Sequence, residues 1–126
     1  MEKEKKIDVN KLSEKELIKL MPSLKRKKLG KIKDGVKRRY YYLCWYYTES
    51  QPLHLLRNYE KRCFRGTSCY HLDHVVAISY GYFNNIPPEK IGSLTNLRFI
   101  RSTVNMRKGS KLTTESHRVL RKFKKK

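Results

Sequence analysis

The chain has 126 residues, with 31 Lys/Arg against 11 Asp/Glu and a net charge of +20, so it is long enough for one modest domain and too short for two. A surface this basic repels itself unless a polyanion meets it, and nucleic acid is the commonest such partner. The longest uninterrupted apolar stretch, Tyr40 to Tyr47, is far short of the ~20 residues of a membrane span, and MEKEKKIDVN is not followed by an apolar run of secretory length, so a soluble, intracellular protein without membrane attachment is expected.

The positive charge is polarised. Residues 1–39 carry +9 and residues 107–126 carry +8, whereas the middle of the chain, 40–106, carries only +3. The first segment opens with Ser13 and Glu16 at the spacing of a capping box, and Leu17, Leu20, Met21 and Leu24 follow at i, i+3, i+4, i+7, which predicts an amphipathic helix interrupted at Pro22. The low-complexity run LKRKKLGKIKDGVKRR comes next, and its Lys25, Arg26, Lys27 and Lys28 are candidates for tracking a phosphate backbone.

YYYLCWYYTESQPLHLL then switches to aromatic residues, which favour strands, and turn composition from Thr48 to Pro52 suggests a short hairpin. Its six rings either stack on bases or pack the back of a small domain, and a domain of this size needs large side chains for its core. From Tyr70 the reading is strand, loop, strand, helix. Val75, Val76, Ala77 and Ile78 form the first apolar run. Pro87-Pro88 can start one helical turn within YGYFNNIPPEKIGS. NLRFI is the second strand, with Leu97 and Phe99 on one face. STVNMRKGSK reads as a helix capped by Ser102, and the tail TTESHRVLRKFKKK as a last basic helix that packs through Val119, Leu120 and Phe123.

Cys44, Cys63 and Cys69 make an odd count, which argues against a disulfide framework. With His54 or His71 as a fourth ligand they could form an irregular zinc site, but Cys63 and Cys69 lack the close pairing typical of structural zinc, so a structural zinc is not expected and small buried thiols are the default.

Asp73, His74, Asn96 and Asn105 form the constellation with chemical content. A strand hairpin with a helix packed across it can gather all four. Aspartate and asparagine offer oxygen atoms, which suit a hard cation such as Mg²⁺, and a neighbouring imidazole with a reference pKa near 6.5 can take a proton from water at neutral pH. Together these are the minimal parts for metal-assisted phosphodiester hydrolysis.

The stretch DHVVAIS followed by TNLRFIRSTVNMRKGSK resembles the HNH, or ββα-metal, endonucleases, and most closely their small phage-encoded homing or nicking members. The resemblance covers residues 42–112. It implies a small ββα-metal domain, placed over 40–112, and says nothing about the ends; with the charge and helical pattern read above, the expectation is an α+β chain with a basic, partly helical N-terminal arm over 1–39 and a basic C-terminal helix or tail over 113–126. It implies that Asp73 and Asn105 ligate Mg²⁺ (Mn²⁺ can substitute), that His74 is the general base, and that Asn96 holds the loop between the strands and orients His74. Lys108 and Arg101 then become candidates for holding the phosphate backbone, with Lys111 as a further DNA contact; His71, two residues before Asp73, either contacts DNA, supports the site from behind, or is a surface or packing residue. Three departures stand out: Ala77 replaces a frequent proline, no Cys-x-x-Cys pair is present, and the last ligand is Asn rather than His, which shifts metal preference toward Mg²⁺ or Mn²⁺.

The expectation is therefore a DNA endonuclease acting in the cytoplasm of a bacterial host, nicking as a monomer or cutting both strands as a homodimer. The alternatives are a non-catalytic basic DNA-binding protein on the same scaffold and a zinc-stabilised interaction module.

Overall fold

A computed structural model describes residues 11–20, 29–63 and 69–124. Lys25, Arg26, Lys27 and Lys28 lie outside the described residues, as do Met21 and Leu24 of the expected N-terminal stripe. In chain order the α-helices are α1 (Glu14–Leu20), α2 (Gly35–Glu49), α3 (Ile78–Phe83), α4 (Pro88–Ile91), α5 (Ser102–Lys108) and α6 (Thr114–Lys124). The strands are β1 (Tyr70–His74) and β2 (Leu97–Arg101), paired antiparallel, with Tyr70 opposite Arg101 and His74 opposite Leu97. The chain is a small mixed α+β domain. None of its described helices is long and apolar enough to cross a membrane.

Both halves of the capping box form at α1: Ser13 N–H donates to Glu16 Oε1 at 3.1 Å, and Glu16 N–H donates to Ser13 Oγ at 3.2 Å. These bonds favour the ionised Glu16 and hold its carboxyl below the ordinary range. Leu17 is fully buried, whereas Leu20 faces solvent.

The aromatic segment is not a hairpin. It lies in α2, a fifteen-residue helix started by Asp34, whose Oδ1 accepts from Val36 N–H at 2.9 Å and Lys37 N–H at 3.1 Å. Aromatic residues cost a helix only a few tenths of a kcal/mol each relative to alanine, and burying one contributes roughly 1.5–3 kcal/mol. Tyr42, Leu43, Cys44 and Trp45 are all buried in succession, because α1, α3 and α4 pack around the helix. Burial outweighs propensity here.

One apolar cluster takes Leu17 and Leu29 from before α2, Tyr42 to Trp45 from within it, Val75, Val76, Ile78 and Ile91 from the link between the strands, and Val119 from α6. The boundary expected between residues 39 and 40 falls inside α2. Arm, centre and tail share one core.

The link from β1 to β2 is short of space. Gly92 lies against α2, and a Cβ there would sit 2.6 Å from Tyr47 Cβ and 2.8 Å from both Cys44 O and Thr48 N. Only glycine permits that approach. The expected apolar strand at Val75–Ile78 is instead the bend that leaves β1 and enters α3, and the turn at Pro87-Pro88 forms as α4. Leu97 and Phe99 are buried on one face of β2 and join Leu53 in a second, smaller cluster. Ser102 does not cap α5; it is the first helical residue and is wholly buried, with Arg101 at the N-cap position. In α6, Val119 is buried and Leu120 and Phe123 pack beside it, while Arg118, Arg121, Lys122 and Lys124 are exposed.

Candidate active site

Where β1 ends, its last two residues are both buried, since the chain bends there and the ladder no longer sends alternate side chains to opposite faces. Asp73 faces Arg98 directly across the ladder, and Arg98 Nε donates to its Oδ2 at 2.9 Å. Lys108, from the last turn of α5, donates through Nζ to Asp73 Oδ1 and to the His74 carbonyl, both at 3.1 Å. Each carboxylate oxygen thus accepts a charge-assisted hydrogen bond, and both ion pairs are largely shielded from water on the Asp73 side.

His74 packs its ring edge-on against Trp45, with centroids 4.9 Å apart and planes at 88°. Its Nε2 lies 2.8 Å from Thr48 Oγ1. Thr48 has a single hydroxyl proton, and that proton is directed at the Cys44 carbonyl one helical turn back, at 2.7 Å. Thr48 is therefore the acceptor, and His74 Nε2 carries the hydrogen. In the neutral ring the lone pair then resides on Nδ1.

Asn96 is fully buried and does not face solvent. Its Oδ1 accepts from Val76 N–H at 2.7 Å, while Nδ2 donates to Val76 O at 3.1 Å and to Ile91 O at 2.8 Å. Its own carbonyl accepts from Val75 N–H at 2.8 Å. This side chain closes the base of the interstrand link immediately after His74 and holds the bend from within, without opening to solvent. Ser116 of α6 anchors the same bend by donating from Oγ to Val75 O at 2.7 Å.

Asp73, His74 and Asn105 line one open cavity of about 250 Å³, together with Tyr41, Trp45, Leu72, Ala77, Ile78, Ser79 and Gly109. Four elements contribute: β1, the start of α3, α5, and α2, which forms the aromatic wall. Gly109 terminates α5 at φ +54, a left-handed value that favours glycine. A larger groove of about 610 Å³, between the α3–α4 connection and α6, is lined by residues such as Tyr80, Ile86, Leu120 and Phe123 and contains none of these candidates.

Of the candidate DNA contacts, Lys108 is corrected and His71 falls on the packing side of its alternatives. Lys108 is buried, because it spans from α5 to Asp73 and the His74 carbonyl, and so is not a surface group reaching for phosphate. His71 has its Nε2 closed off from solvent, which prevents that nitrogen from meeting a phosphate. Arg101 and Lys111 are exposed; the Arg101 guanidinium lies 6.0 Å from the centre of the Tyr70 ring.

The cysteines divide. Cys44 is in the core, where burial pushes its thiol well above the ordinary range. Cys63 and Cys69 come together as a disulfide pair, contrary to the free thiols expected from an odd count.

Thr48 and Arg98 are the site residues that the sequence reading lacked. Thr48 is hidden in a stretch whose composition favoured strand and turn. Arg98 becomes visible once the register placing Asp73 opposite it is known. No protein-family model matches the chain, and neither does any curated protein or solved structure.

Proposed function

We propose that this chain is a metal-dependent DNA endonuclease of the HNH, ββα-metal type, in which β1, β2 and α5 supply the two strands and the helix. The observation carrying this reading is that Asp73, His74 and Asn105, separated by up to 32 positions in sequence, line one solvent-open cavity, while Asn96 braces the loop behind them.

The donor set fits a hard divalent cation. Asp73 and Asn105 are the residues that would hold it, both through oxygen. A carboxylate has about four lone-pair directions, so two hydrogen bonds leave Asp73 with donor capacity on each oxygen. A bound Mg²⁺ supplies charge neutralisation for the phosphate oxygens and the leaving oxygen as the phosphodiester breaks.

The remaining steps belong to the protein. Thr48 fixes the Nε2–H form of His74, so Nδ1 takes the proton from the attacking water. Trp45 and Asn96 limit movement of that ring and of the backbone carrying it. Arg98 and Lys108 place two positive charges on Asp73, and a phosphate brought into the cavity relieves their excess. Cation and DNA are therefore expected to bind with positive coupling. One cavity supplies one cleavage centre, so a single chain nicks.

A second reading has one specific observation in its favour. Both Asp73 oxygens already accept from Arg98 and Lys108, an arrangement that is complete as a structural ion-pair cluster. On that reading the chain binds DNA without cutting it. Supercoiled plasmid distinguishes the two. Nicking in Mg²⁺ or Mn²⁺ that stops with EDTA and in His74→Ala, with DNA binding retained, supports the nuclease. Plasmid left intact by the folded, DNA-bound wild-type chain in both metals rejects it.

A further inference from the structure

Cys63, Cys69 and His71 converge at the opposite end of the β1–β2 ladder from Asp73. We propose that, with both sulfurs as thiolates, these residues bind a thiophilic divalent cation, zinc, which ties Cys63 and Cys69 to the start of β1. This site is separate from the proposed cleavage cavity, and the inference does not rest on the nuclease reading.

Backbone structure creates the convergence. Arg62 pairs with Tyr70 as an isolated bridge, Cys63 N–H donates to Tyr70 O at 2.9 Å, and Ser102 N–H donates to Cys69 O at 2.9 Å. Both cysteines are therefore held against the start of β1. Their Cα atoms are 5.8 Å apart, and His71 lies two residues beyond Cys69. One ligand atom from each of the three side chains lies within 4.8 Å of the others.

An independent sign of a missing ligand is His71 Nε2. This nitrogen is closed to solvent and has no hydrogen-bond partner among the described residues. An unsatisfied buried ring nitrogen is costly, and a coordinate bond would satisfy it. Two sulfurs and an imidazole nitrogen form a soft donor set that selects zinc over the Mg²⁺ suited to Asp73 and Asn105. Lys61 and Arg101 lie over the ring of Tyr70, the residue next to Cys69, at 5.4 and 6.0 Å, and positive charge nearby favours thiolates, whereas Arg62 is already paired with Glu49 at 2.8 Å.

Binding releases the two thiol protons and forms two Zn–S bonds and one Zn–N bond, leaving the fourth tetrahedral position for water or another ligand. The disulfide is the alternative state of the same sulfurs, and it returns to the dithiol only when an added reductant supplies two electrons and two protons.

The test uses the full chain, expressed with zinc, purified with a phosphine reductant and without chelator, then analysed for metal. About one zinc per chain is expected, falling to background in Cys63→Ser and Cys69→Ser. His71→Ala should release zinc to a competing chelator roughly tenfold more readily or more. If these variants fail to fold, Co²⁺ titration of the reduced wild-type chain replaces them, and a thiolate-to-cobalt charge-transfer band is the expected result. Background zinc in the reduced wild-type chain with no such band overturns the proposal, whether or not mass spectrometry finds the Cys63–Cys69 cross-link.

Discussion

At the scale of single residues, two hydrogen bonds determine what His74 and Asp73 can do. The Thr48 hydroxyl accepts from His74 Nε2–H because its own proton is engaged by the Cys44 carbonyl. Thr48→Val keeps the shape and removes the acceptor, at a cost near that of one hydrogen bond, about 1–1.5 kcal/mol, or about tenfold in rate. Under the nuclease reading, plasmid-nicking kinetics should show that loss in kcat with KM unchanged, whereas His74→Ala should cost about 10²–10⁴-fold. Equal activity in Thr48→Val and wild type would remove Thr48 from the site. Lys108 addresses the two readings of Asp73. Its ammonium group is buried between Asp73 and the His74 carbonyl, so Lys108→Met destabilises the chain by leaving both acceptors short of a partner, roughly 1–3 kcal/mol by urea denaturation. The same variant lowers the positive charge beside the carboxylate. If Asp73 holds a cation, Mn²⁺ should raise the melting temperature of Lys108→Met more than that of the wild type. If the cluster is purely structural, Mn²⁺ should shift neither.

At the scale of elements, the candidate site depends on how closely the interstrand link approaches α2. The Gly92 backbone leaves no room for a side chain against Cys44 O and Thr48 N, and Ile91 O, immediately before it, accepts from Asn96. Gly92→Ala therefore pushes α4 away from the segment of α2 that carries Thr48 and displaces the acceptor of Asn96. The expected cost is about 1–3 kcal/mol, typical of overpacking, read as a lowered urea midpoint. Asp34→Ala acts at the other end of α2, removes both cap bonds and should cost about 1 kcal/mol by the same assay. These elements also show what sequence could and could not reveal. That Asp73, His74 and Asn105 would come together was legible, because a strand hairpin with a helix across it gathers them, while Asn96 lies behind the cavity. Leu97 and Phe99 were legible through strand alternation, and Val119, Leu120 and Phe123 through helical periodicity. The helix of α2 was not, since its aromatic composition points to strand and only its packing against α1, α3 and α4 makes helix the better choice. The Cys63–Cys69 pairing was hidden for a related reason: a separation of six residues says nothing until the bridge at Arg62 and Tyr70 folds the chain back.

For the whole molecule, charge is the dominant fact. Seventeen of the twenty excess positive charges lie in residues 1–39 and 107–126, and both segments join the same apolar core as the strand link. The described parts of both segments are thus packed on the domain that carries the candidate site, through Leu17, Leu29 and Val119. On α6 the division is clear: Val119 faces the core, while Arg118, Arg121, Lys122 and Lys124 are exposed. If this face grips DNA through phosphates, affinity should fall linearly in log–log form with salt, at a slope near −0.9 per phosphate neutralised. Arg121→Glu with Lys122→Glu should then weaken binding of every duplex alike and reduce the slope by about 1.8 if each residue meets one phosphate. Neither residue supports the core, so the melting temperature should change little, which separates lost contact from lost fold. The nuclease reading makes a further demand: at DNA concentrations high enough to saturate the variant, its nicking rate should match the wild type, because α6 gathers the substrate without supplying a reacting group. A salt slope identical to wild type would mean that the polyanion lies elsewhere, and the exposed arginines and lysines of α6 would then serve only as a solvated face.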